Sequence, residues 1–261
     1  MHPAHIRLSV AGFIAAACLA AGSLSGIAHA DPRDDFLAGR SRACQKCNLA
    51  GVSFKRRDLA GVDLSGADLK GANFHDAQLA GAKLAGADLG GANLNKANLA
   101  GADLSRASLQ GAMLYAAILD RASLAGADLG GALMGTARLT RSDLTGAKLR
   151  DADLRKTRLV EATLSGADLA GAALDRAFLR GCRLDHAVLA QVRLMEAQLI
   201  DTSLVGADLT EADLRGAELR NVDLKDARLT RATFLRSTLQ ATSLDGAVLG
   251  DTVLSDGTRR P

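Results

Sequence analysis

The residues best placed to do chemistry are Cys44 and Cys47, a CxxC pair in a chain of 261 residues. Two thiols at that spacing support three chemistries: a disulfide, a redox couple, or half of a metal site. A thioredoxin-like couple sits in a βαβ setting, and no such pattern surrounds this pair. A structural zinc site needs four ligands, and no second CxxC or nearby His pair supplies them. In an exported protein the pair is expected to be oxidised, so a Cys44–Cys47 disulfide is the leading reading. A thiol redox or metal-handling role stays open as an alternative. After residue 30 the histidines are His75 and His186, 111 residues apart. No Ser-His-Asp or Cys-His set is recognisable. No catalytic, cofactor or metal residue is assigned, and the chain is expected not to be an enzyme.

The frame that positions these residues is strictly periodic. From Leu49 to Leu254 every fifth residue is Leu, Phe or Met, over 42 positions. Only Phe54, Phe74, Met134 and Phe234 are not Leu. Two residues earlier the chain usually carries Ala, as in Ala67-Asp68-Leu69 and Ala167-Asp168-Leu169. A step of five advances about 500° on an α-helix, so the leucines would wander round it. On a straight strand, five is odd and would send alternate leucines to opposite faces. One interior is reached only if the chain turns once per repeat. The residue two before each Leu then also points inward, and it is small because a second large side chain would overpack. Each buried Leu contributes about 1.5–3 kcal/mol, against roughly 1–2 kcal/mol of backbone entropy per ordered residue. Hydrogen bonds between turns must supply the rest.

Tandem A[DN]LxG units, such as Ala67-Asp68-Leu69-Lys70-Gly71 followed by Ala72-Asn73-Phe74, resemble the pentapeptide-repeat family. The resemblance covers residues 47–256. It implies an all-β fold: a right-handed quadrilateral parallel β-helix with four pentapeptides per coil. Forty-two repeats then make about ten and a half coils, a rod about 50 Å long at roughly 4.8 Å per stacked strand. Residues twenty apart stack, so the four non-Leu core residues share one column. Cys182 falls at an inward Ala position, nearly seven coils from Cys47, beyond bridging reach, and reads as a buried thiol.

Residues 1–30 read as a signal peptide. His2, His5 and Arg7 precede an apolar run from about Leu8 to Leu24, and Ala28-His29-Ala30 is a small-x-small cleavage site. Cleavage near Ala30 would leave a periplasmic or secreted protein; the alternative is a retained N-terminal anchor. No later stretch approaches the roughly 18 apolar residues that a span requires, so no transmembrane span is expected in the mature protein. Removing the segment changes the formal charge from +3 to +2, which gives no general field for nucleic acid. Residues 31–46 are expected to cap the open N-terminal end, with Asp31-Pro32 starting a helical turn through Phe36-Leu37. Residues 257–261 form a short tail. No C-terminal helix follows, so that end is expected to be poorly capped and open to a homodimer.

Two surface patterns stand out. One outward column holds Asn48, Asp68, Asp88, Asp128, Asp168 and Asp208, and the next face carries Lys55, Arg56, Lys96, Arg155, Lys156, Arg176, Arg215 and Arg236. The aspartates fit either a charged partner or local turn hydrogen bonds, the second being favoured. Outward apolar residues are rare. Met113, Tyr115, Ile118 and Leu133 form a candidate interaction patch, with Phe178 and Val188 further along. The expected function is an exported, non-enzymatic structural or protein–protein interaction rod with an unknown protein partner. Some members of the resembled family mimic DNA and protect DNA gyrase. That alternative sits poorly with an export signal, a slightly positive mature chain and no C-terminal dimerising helix.

Overall fold

The computed structural model describes residues 31–260; the expected signal segment lies outside the described residues. The chain enters through α1, Pro32–Leu37. Asp31 caps it, its carboxylate accepting the Arg33 N–H at 2.9 Å, and Pro32 fills the first turn, where no donor is needed. Phe36 is buried and meets Phe54 edge-on, with centroids 5.9 Å apart and planes at 65°. Phe54 in turn stacks on Phe74 at 5.0 Å and 16°. The helix thus closes the first turn of the coil with an aromatic plug.

Beyond it, outward residues pair in parallel register with those twenty positions on: Asn48 with Asp68, Asp68 with Asp88, and so on to Thr233 with Val253. Four five-residue units therefore make one turn. Each side is three extended residues, and the corner is the two residues after Leu. The turn lies within the five residues rather than after them. With one bridged residue per side, few segments are long enough to form named strands. Within the coil the longest are β1 (Gln198–Ile200), β2 (Glu218–Arg220) and β3 (Thr238–Gln240), stacked in that order in parallel. The second corner residue takes positive φ, as at Gly71 (60°) and Gly166 (66°), a region open to glycine without steric cost.

One repeat shows how the backbone is satisfied. Leu69 and Gly71 donate to Asp88 and Gly90 of the next turn, at 2.7 and 2.9 Å. Asn73 donates to Val52 of the previous turn at 2.9 Å, and Ala72 closes the corner on Leu69 at 3.0 Å. The fifth donor, Lys70 N–H, has no backbone acceptor; the Asp68 carboxylate takes it at 3.2 Å. All five amides are bonded, as burial of a backbone demands.

Leu and Ala fill the interior. At two places where hydroxyls replace Ala they donate to backbone carbonyls, Ser142 to Leu139 and Thr157 to Leu154, both at 2.7 Å, whereas the buried Ser237 hydroxyl has no partner among the described residues. The C-terminal end differs from the poorly capped tail expected. Asp256-Gly257 forms a turn, Asp256 Oδ1 accepting from Thr258 N at 2.9 Å. The chain then folds back as β5 (Arg259–Arg260), antiparallel to β4 (Thr252–Val253). One side of the last turn is covered. On the others, Leu239, Leu244 and Leu249 are only partly buried. Among the described residues no helix is long and apolar enough to cross a membrane.

Candidate interaction surface

The chain brings Cys44 and Cys47 together where α1 joins the coil, with Cα atoms 5.4 Å apart and sulfurs in bonding contact. Both occupy inward phases of the repeat: Cys44 stands where Leu would, five before Leu49, and Cys47 where Ala would. Cys44 is buried and Cys47 half-buried. Among the described residues, no group of three or more His, Cys, Asp or Glu side chains is placed to hold a metal ion. Cys182 is buried inside the coil, and its S–H donates to the Leu159 carbonyl. Burial pushes its thiol up to about 12, so almost none is thiolate near neutrality. We expect a thiol-selective reagent to leave Cys182 unmodified in the folded protein at pH 8 and to label it after denaturation. Labelling at equal rates in both states would contradict its burial.

The aspartate column serves the turns. Asp68, Asp88, Asp128, Asp168 and Asp208 each accept from the backbone N–H two residues on, at 3.0–3.2 Å. Of the eight basic residues on the next face, three are ion-paired among the described residues. Arg155 holds Asp153 with two bonds, 2.8 and 2.6 Å, and Arg176 holds Glu196 at 2.7 Å. Arg215 holds Asp213 at 2.6 Å, and Arg193 pairs with Asp175. The Arg155 guanidinium beside Asp153 keeps that carboxyl below the usual carboxylate range. Exposed pairs of this kind contribute roughly 0–1 kcal/mol each.

Met113 and Leu133 are bridged neighbours on adjacent turns. Tyr115 is 54% exposed and Leu133 49%. The Tyr115 N–H donates to Asn95 Oδ1 at 2.8 Å. Its ring lies across Gly135, with Cδ2 3.6 Å from where a Cβ on that glycine would sit. These three side chains line one shallow depression with Asn95, Gly135, Thr136, Asp153, Arg155 and Lys156, the Asp153 carboxylate being held by Arg155. Ile118 does not join them. It lies round the corner, half-buried between Asn98 and Arg138 on the adjoining side. Gly135 escaped the sequence reading. Its signal is a glycine one place before the positive-φ position, which Thr136 takes instead (φ 59°). Phe178, on the same side as Ile118, has the Arg158 guanidinium over its ring at 5.6 Å. Val188 lies in the aspartate column, bridged to Asp168 and Asp208.

A four-sided β-helical coil with leucine and alanine filling its interior and charged side chains on its walls defines a repeat solenoid. Pentapeptide repeats match residues 47–256 in eight copies, and the chain belongs to the pentapeptide repeat family. It is similar to HetL, a pentapeptide repeat protein involved in heterocyst differentiation regulation, from the cyanobacterium Nostoc sp. strain PCC 7120. The identity is 30%, over 87% of this chain and 97% of HetL, with a TM-score of 0.54. A pentapeptide repeat protein of the Arabidopsis thaliana thylakoid lumen is 32% identical, over 45% of this chain and 72% of its own, with a TM-score of 0.30. QnrB1, a plasmid-mediated fluoroquinolone resistance protein, is 19% identical over 78% of this chain and 92% of its own, with a TM-score of 0.31. No curated protein matches the chain.

Proposed function

We propose that the chain is an exported, non-enzymatic rod that binds another protein through the depression formed by Met113, Tyr115 and Leu133. The observation that carries the reading is this stacked apolar group, with the two most exposed members, Tyr115 and Leu133, on adjacent turns of a wall whose other large apolar residues, Met195 and Leu235, lie further along. Large apolar residues gathered at one exposed place are typical of protein contact sites. The depression is shallow and open, which suits a partner's side chains better than a reaction shielded from water. HetL, described as acting in a regulatory process, fits a role in binding rather than catalysis.

Export rests on the Arg7, Leu8–Leu24 and Ala28-His29-Ala30 sequence, with cleavage near Ala30. In that setting Cys44 and Cys47 are oxidised and tie the cap to the first turn. The coil is taken as right-handed and about ten and a half turns long, from its 42 repeats. The partly exposed Leu239, Leu244 and Leu249 leave the C-terminal end as a place where a second copy could pair. A DNA mimic needs an unbroken run of unengaged negative charge. Here the aspartate column is interrupted by Ser108, Lys148 and Val188, and its carboxylates hold turns.

The test is native co-isolation from envelope extracts, comparing the mature protein with a Met113→Ser/Tyr115→Ser/Leu133→Ser variant. The expected result is a defined partner retained by the first and lost from the second. An identical set of proteins on both, or mature chain found in the cytoplasm on fractionation, would count against the reading.

A further inference from the structure

A second depression adjoins the first. It is lined by Thr136, Arg138, Thr140, Lys156, Arg158, Val160 and Phe178, and it contains no acidic residue. Thr136 and Lys156 line both depressions. The two are therefore one surface that wraps a corner of the coil, apolar on one side and basic on the other.

The cations there are not equivalent. Arg138 is engaged by Asp120, and Arg155 across the corner is held by Asp153. Lys156 and Arg158 are exposed, and neither forms an ion pair among the described residues. Arg158 is held over Phe178, a contact that fixes a guanidinium without neutralising it. The surface thus presents an apolar anchor site with two unneutralised positive charges beside it.

We infer that this composite surface binds an acidic segment of a partner protein, one carrying a carboxylate within a few residues of an aliphatic or aromatic side chain. The apolar side chain sits against Tyr115 and Leu133, and the carboxylate meets Lys156 and Arg158. Charge complementarity favours this occupant over nucleic acid. A polyphosphate needs a stripe of free cations. Here only two cations are free, too few for such a stripe, and the neighbouring Arg138 and Arg155 are already held by carboxylates. The inference rests on the interaction reading above and adds the partner's chemistry to it.

The protein supplies its own probe. Tyr115 is the sole tyrosine and there is no Trp, so intrinsic emission reports on this surface alone. The mature chain is titrated with a short peptide alternating Glu and Leu. We expect a saturable change in emission. Lys156→Glu/Arg158→Glu should weaken binding about tenfold or more, and so should Leu133→Ser, each variant remaining folded by circular dichroism. Peptides with Ser in place of Leu, or Lys in place of Glu, should bind at least about tenfold more weakly. If Leu133→Ser abolishes binding and the charge reversal does not, the acidic partner is wrong while the apolar interaction site survives. If neither variant alters binding, or the peptide does not bind, the composite surface is wrong. Tighter binding of duplex DNA or of anionic lipid vesicles than of the peptide would also overturn it.

Discussion

Replacing Phe54 with alanine is expected to detach the N-terminal cap while the rest of the rod stays folded. Phe54 is fully buried and is the middle ring of three, touching Phe36 of α1 on one side and Phe74 on the other. Truncating a buried Phe costs about 3–5 kcal/mol. Solenoid units contact only their neighbours, so this loss falls on the first turn instead of being shared along the rod. Limited trypsin digestion read by mass spectrometry checks it: early cuts should appear at Arg40 and Arg42 in Phe54→Ala and not in the parent protein. An unchanged cleavage order would show that α1 is held by something other than the aromatic plug.

The second large effect distinguishes two leucines eleven positions apart. Leu144 is 0% exposed and Leu133 is 49% exposed. Leu144→Ala is expected to cost about 2–5 kcal/mol, because the side chain leaves a cavity between turns that cannot collapse onto it. Leu133→Ala should stay within about 0.5 kcal/mol, as an exposed substitution does. Urea unfolding of both variants measures the difference. Equal losses would mean that the five-residue phase does not decide what is inside.

That phase was the legible part of the sequence. It placed Leu144 inside and Leu133 outside, although both are leucine, because only Leu144 falls in the five-residue series from Leu49. It also placed Cys182 inside. The aspartates left two roles open, and the bond from Asp68 to the Lys70 amide decided for the turn. Other features depend on where the corner falls, which a period alone does not reveal. Ile118 looked close to Tyr115 by count, but a corner separates them. Gly135 was not singled out at all, yet the Tyr115 ring lies across it. The inward phase of Cys44 lies one repeat before the regular series begins at Leu49, while Cys47 takes the Ala place of the first repeat. The tail hairpin is set by Asp256-Gly257, beyond the last repeat.

The twenty-residue register has a consequence for how such a chain tolerates insertion and loss. Removing twenty residues takes out one complete storey, and every façade above drops straight down into alignment. Removing five keeps the same local sequence grammar, but everything above the cut swings through a quarter turn. A five-residue deletion between Leu133 and Lys156 would carry Lys156 back to the preceding corner and swing Arg158 onto the wall of Met113 and Leu133, so the composite surface would be taken apart. Slippage of the gene by whole storeys therefore changes only height, whereas slippage by single repeats rewires which surfaces face the same partner.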